Sequence, residues 1–135
     1  MREPKYKLDE STYSAGRFAN ETNDCAVRAF ATAACIPYAD AHALLAKHGR
    51  KDRQGTWRST QRKAWEESLG YTPKHVVDHT GYTYQAMTLA AFLRRFTRGH
   101  WIVLTRGHSF AVVDGVVYDH TLRPRCRILD AYRFD

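Results

Sequence analysis

The alternation of apolar and polar residues is clearest late in the chain, at residues 107–119. Two runs of β-branched and aromatic residues flank Asp114 and Gly115. Asp-Gly between such runs is the strongest short-range signal for a hairpin with a two-residue type I′ turn. With that turn, His108 and Asp119 lie diagonally opposite on one face. Diagonal side chains are about 7–8 Å apart at the backbone, so the pattern predicts an oriented His–Asp pair.

The first half of the chain has the apolar spacing of helices. The alanine-rich stretch from Cys25 to Cys35 predicts a largely buried helix, because Asn23 and Asp24 just before it are good N-cap residues. Cys25 then falls in the first helical turn. Three further helices are predicted: one from Pro37 to His48, one from Trp57 or Ser59 to Leu69, and one from Leu89 to Phe96 behind a Thr88 cap.

Strands dominate the second half. Residues 75–79 and 100–104 are rich in β-branched residues, and the tail after residue 120 offers a final strand. Helices followed by an antiparallel sheet predict the α+β class. A chain of 135 residues fits one domain, residues 1–135, with residues 1–19 as an N-terminal arm. We expect the three tryptophans in the core rather than in a substrate groove: Trp57, Trp65 and Trp101.

Metal and disulfide chemistry is weakly supported. The chain has three cysteines, and none of them forms a Cys-x-x-Cys pair, which fits neither a disulfide framework nor a zinc site. His75 and His79 are four residues apart, a spacing that suits a metal on a helix. Pro73 and paired valines favour an extended segment here, and no third ligand is evident. We therefore expect no metal and no cofactor.

The net charge of +7 favours acidic partners, nucleic acid included. The basic residues are spread, for example through the loop at residues 50–55, and no nucleic-acid motif is present. The simpler interpretation is a solvated basic surface. No apolar run approaches the roughly 20 residues of a membrane span, and the charged start lacks a signal sequence. We expect no membrane partner and a cytoplasmic location.

The two ends of the chain together suggest covalent catalysis. A helix N-terminus favours a thiolate at Cys25, and a thiol facing the His108–Asp119 pair has the layout of nucleophile, general base and orienting group. The oxyanion would bind the Cys25 backbone N–H and an upstream side-chain amide, either Asn20 or Asn23. By itself, a cysteine is more often a small buried residue.

One rival base is His100. It also follows a glycine at a strand start, but the sequence offers it no orienting carboxylate at a defined register. His108 is the stronger candidate on that ground.

The residues that suggest this chemistry also resemble a family. The order Cys25, His108, Asp119, with the cysteine opening the first helix and Gly107-His108 opening a strand, resembles the papain-like cysteine protease superfamily over residues 20–119. The compact members are the most similar, namely bacteriocin-processing peptidases and Josephin-type deubiquitinases. The motif Asn23-Asp24-Cys25-x-x-Arg28-Ala29, together with residues 107–119, also resembles small phage and bacterial proteins. The resemblance implies Cys25 as nucleophile, His108 as base and Asp119 as orienting residue.

The same resemblance implies a function. A papain-like thiol hydrolase would cleave a peptide or isopeptide bond of a protein or peptide substrate through an acyl-enzyme, in the host cytoplasm if a phage encodes it. Family members usually place a glutamine five or six residues before the cysteine, where this chain has Asn20 and Ala19.

Other outcomes remain open. The same triad can transfer the acyl group or deamidate glutamine. An alternative is a catalytically inactive papain-like basic module that binds nucleic acid or an acidic protein, and a weaker alternative is a virion structural protein.

Overall fold

The computed structural model of the protein describes residues 5–8, 21–80, 87–119 and 123–135. Within these residues the chain forms four helices and eight strands. The helices are α1 (Cys25–Ala34), α2 (Tyr38–Lys47), α3 (Arg58–Leu69) and α4 (Leu89–Arg95). The strands are β1 (Lys5–Leu8), β2 (Lys74–Asp78), β3 (Met87–Thr88), β4 (His100–Thr105), β5 (His108–Val113), β6 (Val116–Asp119), β7 (Arg127–Ile128) and β8 (Asp130–Arg133).

Six strands form the main sheet, in the order β1-β6-β5-β4-β8-β2. All neighbours are antiparallel except β1, which runs parallel to β6 at one edge. The predicted N-terminal arm, residues 1–19, therefore includes a strand. It satisfies backbone groups that an edge strand would otherwise leave unpaired; the remainder of the arm lies outside the described residues. β3 and β7 form a separate small pair.

Both faces of the sheet are covered. On β4, Ile102 and Leu104 pack into a core with α1, α2 and α3, whereas Trp101 and Val103 pack into a second core with α4. A strand that is buried on both faces needs apolar residues at every position, which explains the uninterrupted apolar run at 101–104. The α+β class predicted from the sequence is confirmed.

The predicted hairpin is confirmed in its turn and register. Asp114 and Gly115 both have positive φ, 47° and 80°, as a type I′ turn requires. Val113 pairs with Val116 across it. This short turn fixes which residues of β5 and β6 share a face, and so places Asp119 near His108.

The helices lie where their caps predict them. Gly70 ends α3 in the left-handed conformation with φ 78°, and Thr88 Oγ1 accepts a hydrogen bond from the Ala91 backbone N–H at 3.2 Å. Trp65 and Trp101 are buried as predicted. The prediction for Trp57 is wrong, because its side chain is 83 % exposed. Trp57 is the N-cap of α3 with extended backbone, so the apolar stripe of the helix does not include it.

None of the helices in the described parts of the chain has the length and apolar character needed to cross a lipid bilayer.

Candidate active site

Cys25 is the first residue of α1. The residue before it, Asp24, occupies the predicted N-cap position but makes no side-chain cap. Its carboxylate instead accepts hydrogen bonds from the Tyr38 hydroxyl at 2.8 Å and from Arg28 Nε at 3.0 Å. The N–H groups of the first turn are thus not capped by Asp24. They and the positive end of the helix dipole lie beside the Cys25 thiol, where both favour negative charge.

The predicted His–Asp pair is present. His108 Nε2 lies 2.9 Å from both carboxylate oxygens of Asp119, and Asp119 is buried at 8 % exposure. The hydrogen bond to Asp119, followed by that to Cys25, raises the pKa of His108 to about 9, although burial opposes the rise. His108 is therefore an imidazolium at neutral pH.

The thiol of Cys25 is held by β5. Burial raises its pKa, but hydrogen bonds from His108 and from the backbone and side chain of Ser109 outweigh burial, and the pKa lies below its ordinary value. The Ser109 hydroxyl donates to Cys25 Sγ at 3.7 Å. Because His108 Nε2 faces Asp119, Nδ1 is the nitrogen available to the thiol. The three predicted triad residues thus form one connected group.

Small side chains bring α1 close to β5. Ala26 and Ala29 on the helix and Ala111 on the strand are all buried in the same core. With only methyl groups between them, helix and strand can approach closely enough for a cysteine side chain to reach the start of β5. The alanines of this helix therefore pack in the core and also allow the thiol to lie close to β5.

The two asparagines predicted to bind the oxyanion have different outcomes. Asn23 has φ 52°, a left-handed conformation that asparagine tolerates, and its Nδ2 donates to the Arg53 carbonyl at 3.1 Å. Its amide therefore ties the loop at residues 50–57 to the start of α1. Asn20 lies outside the described residues, so its role stays a prediction.

That loop is also anchored by a buried ion pair. Glu21 accepts hydrogen bonds from Arg50 at 2.9 Å, from His42 at 2.7 Å and from the Arg53 backbone N–H at 2.6 Å. Burial raises the pKa of Glu21, but these hydrogen bonds outweigh it and lower the pKa to about 2. The expectation of a solvated basic loop is wrong for Arg50, which is 5 % exposed. Its charge positions the loop beside the thiol.

Two cavities flank the Cys25–His108 pair. One, of about 380 Å³, is also lined by Asn23, Arg28 and Tyr118. The other, of about 540 Å³, is bordered by the anchored loop and the start of α3, including Gln54, Trp57 and Arg58. The thiol therefore lies at the centre of a cleft that continues on both sides of it.

Three residues line this cleft although the sequence did not predict them there, namely Ser109, Gln54 and Trp57. A signal for Ser109 exists, because it shares a strand face with Ala111 and is the polar residue of that buried face. Gln54 and Trp57 lie at the cleft because the ion pair between Glu21 and Arg50 holds their loop there. A contact between residues 29 apart leaves no local trace in the sequence.

The rival base, His100, lies at the other end of α1. Its Nδ1 is 3.6 Å from Cys35 Sγ and 3.1 Å from the Ala33 carbonyl oxygen. A carbonyl oxygen only accepts hydrogen bonds, so in the tautomer that binds Ala33 the proton is on Nδ1. In that tautomer Nδ1 cannot take a proton from Cys35, and His100 is not the partner of Cys25.

The predicted strand is present as β2 (Lys74–Asp78), and His79 lies in the turn after it. Both imidazoles contact the fully buried carboxylate of Asp130, at 2.8 Å and 3.1 Å, and Arg58 Nη2 lies 2.9 Å from it. The third group that is not evident in the sequence is therefore present in the fold. Asp130 comes from β8, more than fifty residues away, so only the sheet pairing reveals it. Its oxygens are already satisfied by these three side chains.

A scan of the chain against protein-family models gave no match, and searches of curated proteins and of solved structures gave none either. A function therefore has to be inferred from the chemistry of the site.

Proposed function

We propose that the protein is a papain-like thiol hydrolase that cleaves a peptide or isopeptide bond through an acyl-enzyme on Cys25. The observation that carries the proposal is the connected group of thiol, imidazole and carboxylate. Cys25 is hydrogen-bonded to His108, and both oxygens of Asp119 hold the other nitrogen of that ring at 2.9 Å.

Acylation begins with the proton of the Cys25 thiol on His108. The thiolate sulfur attacks the substrate carbonyl carbon and forms a C–S bond, while the carbonyl electron pair moves to oxygen. The tetrahedral intermediate collapses, the C–N bond breaks, and His108 gives its proton to the leaving amine. In deacylation, His108 takes a proton from water as the water oxygen attacks the thioester carbon. The C–S bond then breaks, the carboxylic acid leaves, and the thiolate of Cys25 remains beside protonated His108.

Charge stabilisation comes from the start of α1. The negative oxygen of the intermediate lies within reach of the uncapped first-turn N–H groups, that of Cys25 included, and these are preorganised donors. Asn20 or Asn23 would add a side-chain amide. Ser109 acts on the sulfur instead, because its backbone N–H and hydroxyl both donate to the thiolate.

The thiolate gives a direct test. We expect iodoacetamide to alkylate Cys25 rapidly at pH 6, well below the ordinary thiol pKa of about 8.5, and the His108→Ala variant to lose at least about tenfold in rate. Mass spectrometry after proteolysis reads each cysteine separately. The molecule supplies its own reference thiols, because Cys35 is exposed and burial raises the pKa of Cys126.

Two outcomes would contradict the proposal. One is a Cys25 that labels no faster at pH 6 than Cys126, and the other is a rate that His108→Ala leaves unchanged. Either result would favour the alternative of a basic binding module. The net charge of +7 would then be the main indication of its partner.

A further inference from the structure

Trp57 is exposed to an unusual degree for its size. Its side chain is 83 % accessible, whereas Trp65 and Trp101 are 0 % and 1 % accessible. An indole of this kind holds on the order of 200 Å² of surface, most of it apolar, in contact with water. Tryptophans left on a surface in this way are enriched among the residues that dominate binding energy.

The ring borders the same space as the nucleophile. Trp57 and Cys25 line one cavity of about 540 Å³, and His108 lies between that cavity and the one of about 380 Å³ on the other side. An extended chain that crosses the thiol can therefore occupy both cavities at once, and one of its side chains then lies against Trp57.

The backbone that carries the Trp57 ring is held by hydrogen bonds. The Trp57 carbonyl accepts a hydrogen bond from the Gln61 backbone N–H at 3.0 Å, and the carbonyl of Thr56 accepts one from Gln61 Nε2 at 3.1 Å. The next residue, Arg58, is held by Asp130 at 2.9 Å. Because this backbone is already ordered, ligand binding at Trp57 costs little backbone conformational entropy.

The charge of this wall also bears on the ligand. Arg58 is the basic residue beside the ring, and the buried carboxylate of Asp130 compensates its charge. The indole of Trp57 is the large aromatic surface of this wall, beside polar neighbours such as Gln54, and it favours contact with an apolar or aromatic side chain.

We propose that Trp57 is a specificity-determining residue that binds a large apolar or aromatic side chain of a polypeptide substrate, close to the bond that is cleaved. This inference rests on the proposed hydrolase function. It adds to that function a substrate class: unfolded or extended polypeptide segments, with a bulky apolar residue at one position on either side of the scissile bond.

The test is digestion of a mixed library of peptides by the full-length protein, with every cleavage site read by mass spectrometry. We expect Phe, Tyr, Trp, Leu or Met to be enriched at one position. For a peptide with that residue, Trp57→Ala should lower kcat/KM by about tenfold, mainly through KM, since the loss of one aromatic contact is a binding effect. Trp57→Phe should retain most of the activity.

Tyr71→Ala is the matched control, because Tyr71 is the other large apolar residue exposed in the described part of the chain and lines neither cavity. It should keep the preference. Circular dichroism checks that each variant is folded, and Cys25 labelling by iodoacetamide, which is too small to need the subsite, checks that the thiol is intact.

The outcomes separate the two proposals. Cleavage without any apolar preference, or with a preference that Trp57→Ala leaves unchanged, overturns the role of Trp57 and leaves the hydrolase standing. Absence of any cleavage, with slow labelling of Cys25, overturns the hydrolase and this inference together. A change of oligomeric state in Trp57→Ala, measured by analytical ultracentrifugation, would show that a second copy of the chain covers the ring, and would also overturn it.

Discussion

The helix α1 has a cysteine at each end, and each cysteine lies beside a histidine. At the N-terminal end, hydrogen bonds from His108 and Ser109 lower the pKa of Cys25. At the C-terminal end, Cys35 Sγ lies 3.6 Å from His100 Nδ1, but that nitrogen donates to the Ala33 carbonyl. The two cysteine–histidine pairs thus lie at opposite ends of one helix. Their cysteines are ten residues apart, which is about 15 Å at 1.5 Å per residue.

The difference shows what a reactive thiol requires. The positive end of the helix dipole favours a thiolate at Cys25, and the negative end disfavours one at Cys35. The histidine must also bind a carboxylate through one ring nitrogen and face the thiol with the other. His108 has Asp119 in that place, whereas His100 uses its nearer nitrogen for a backbone carbonyl. Proximity of the two residue types is therefore insufficient.

The largest expected effect comes from removing each cysteine in turn. Cys25→Ala should lower peptide hydrolysis by at least about a thousandfold, because it removes the nucleophile that forms the acyl-enzyme. Cys35→Ala should leave the rate within about twofold, since a surface substitution at the helix end changes little. Turnover of a cleaved library peptide measures both. Equal losses in the two variants would mean that the two ends do not differ as described.

A smaller effect is expected from the carboxylate. Asp119→Asn should lower hydrolysis by about a hundredfold or more, because a neutral amide no longer stabilises the imidazolium or holds its tautomer. The hydrogen bond to Asp119 is the largest of the causes that raise the pKa of His108 to about 9, and the hydrogen bond to Cys25 is the next. The wild type should therefore lose activity as pH rises through about 9, where His108 gives up the proton that the leaving amine needs.

In the Asp119→Asn variant this upper limit should move to lower pH, because the largest of the causes that raise the pKa of His108 is gone, although the hydrogen bond to Cys25 remains. The pH profile of kcat/KM separates this role from a structural one: a merely destabilised protein would lose activity without a shifted limit. An unchanged upper limit near pH 9 would refute the assignment of Asp119.

The smallest expected effect comes from the hydroxyl of Ser109, which contacts the sulfur of Cys25. Ser109→Ala removes the hydroxyl that donates to Cys25 Sγ and keeps the backbone N–H donor. One hydrogen bond of about 1 kcal/mol predicts a loss of roughly fivefold in alkylation rate at pH 6. The rate at a pH well above the thiol pKa should change less. The alkylation rate of Cys35 serves as the control, because Ser109 contacts Cys25 at the N-terminal end of α1 and Cys35 lies at the C-terminal end.

The local elements of the site could be predicted because short-range chemistry decides them. Asp114-Gly115 selects one turn type, and that turn sets the register which places Asp119 diagonally opposite His108. The start of α1 at Cys25 follows from polar residues ahead of an alanine-rich stretch. The sequence was less informative where a polar side chain has two possible partners: Asp24 occupies the cap position but binds Tyr38 and Arg28 instead.

The walls of the cleft could not be predicted, because distant contacts build them. Glu21 and Arg50 are 29 residues apart, and their buried ion pair, together with the hydrogen bond from Asn23 to Arg53, holds the loop and Trp57 beside the thiol. Asp130 meets His75 and His79 only through the pairing of β2 with β8.

The sequence by itself predicted the α+β class and the hairpin, and it singled out Cys25, His108 and Asp119, which line one cavity in the structure. It did so because propensity, capping and turn geometry act over a few residues, and a two-residue turn leaves one register. The tertiary structure alone decided that α1 packs on β5, that Ser109 supports the sulfur and that Trp57 is exposed at the cleft. Each of these depends on which buried surfaces and charges meet in the folded chain, and that is settled by packing over the whole chain rather than by any local run of residues.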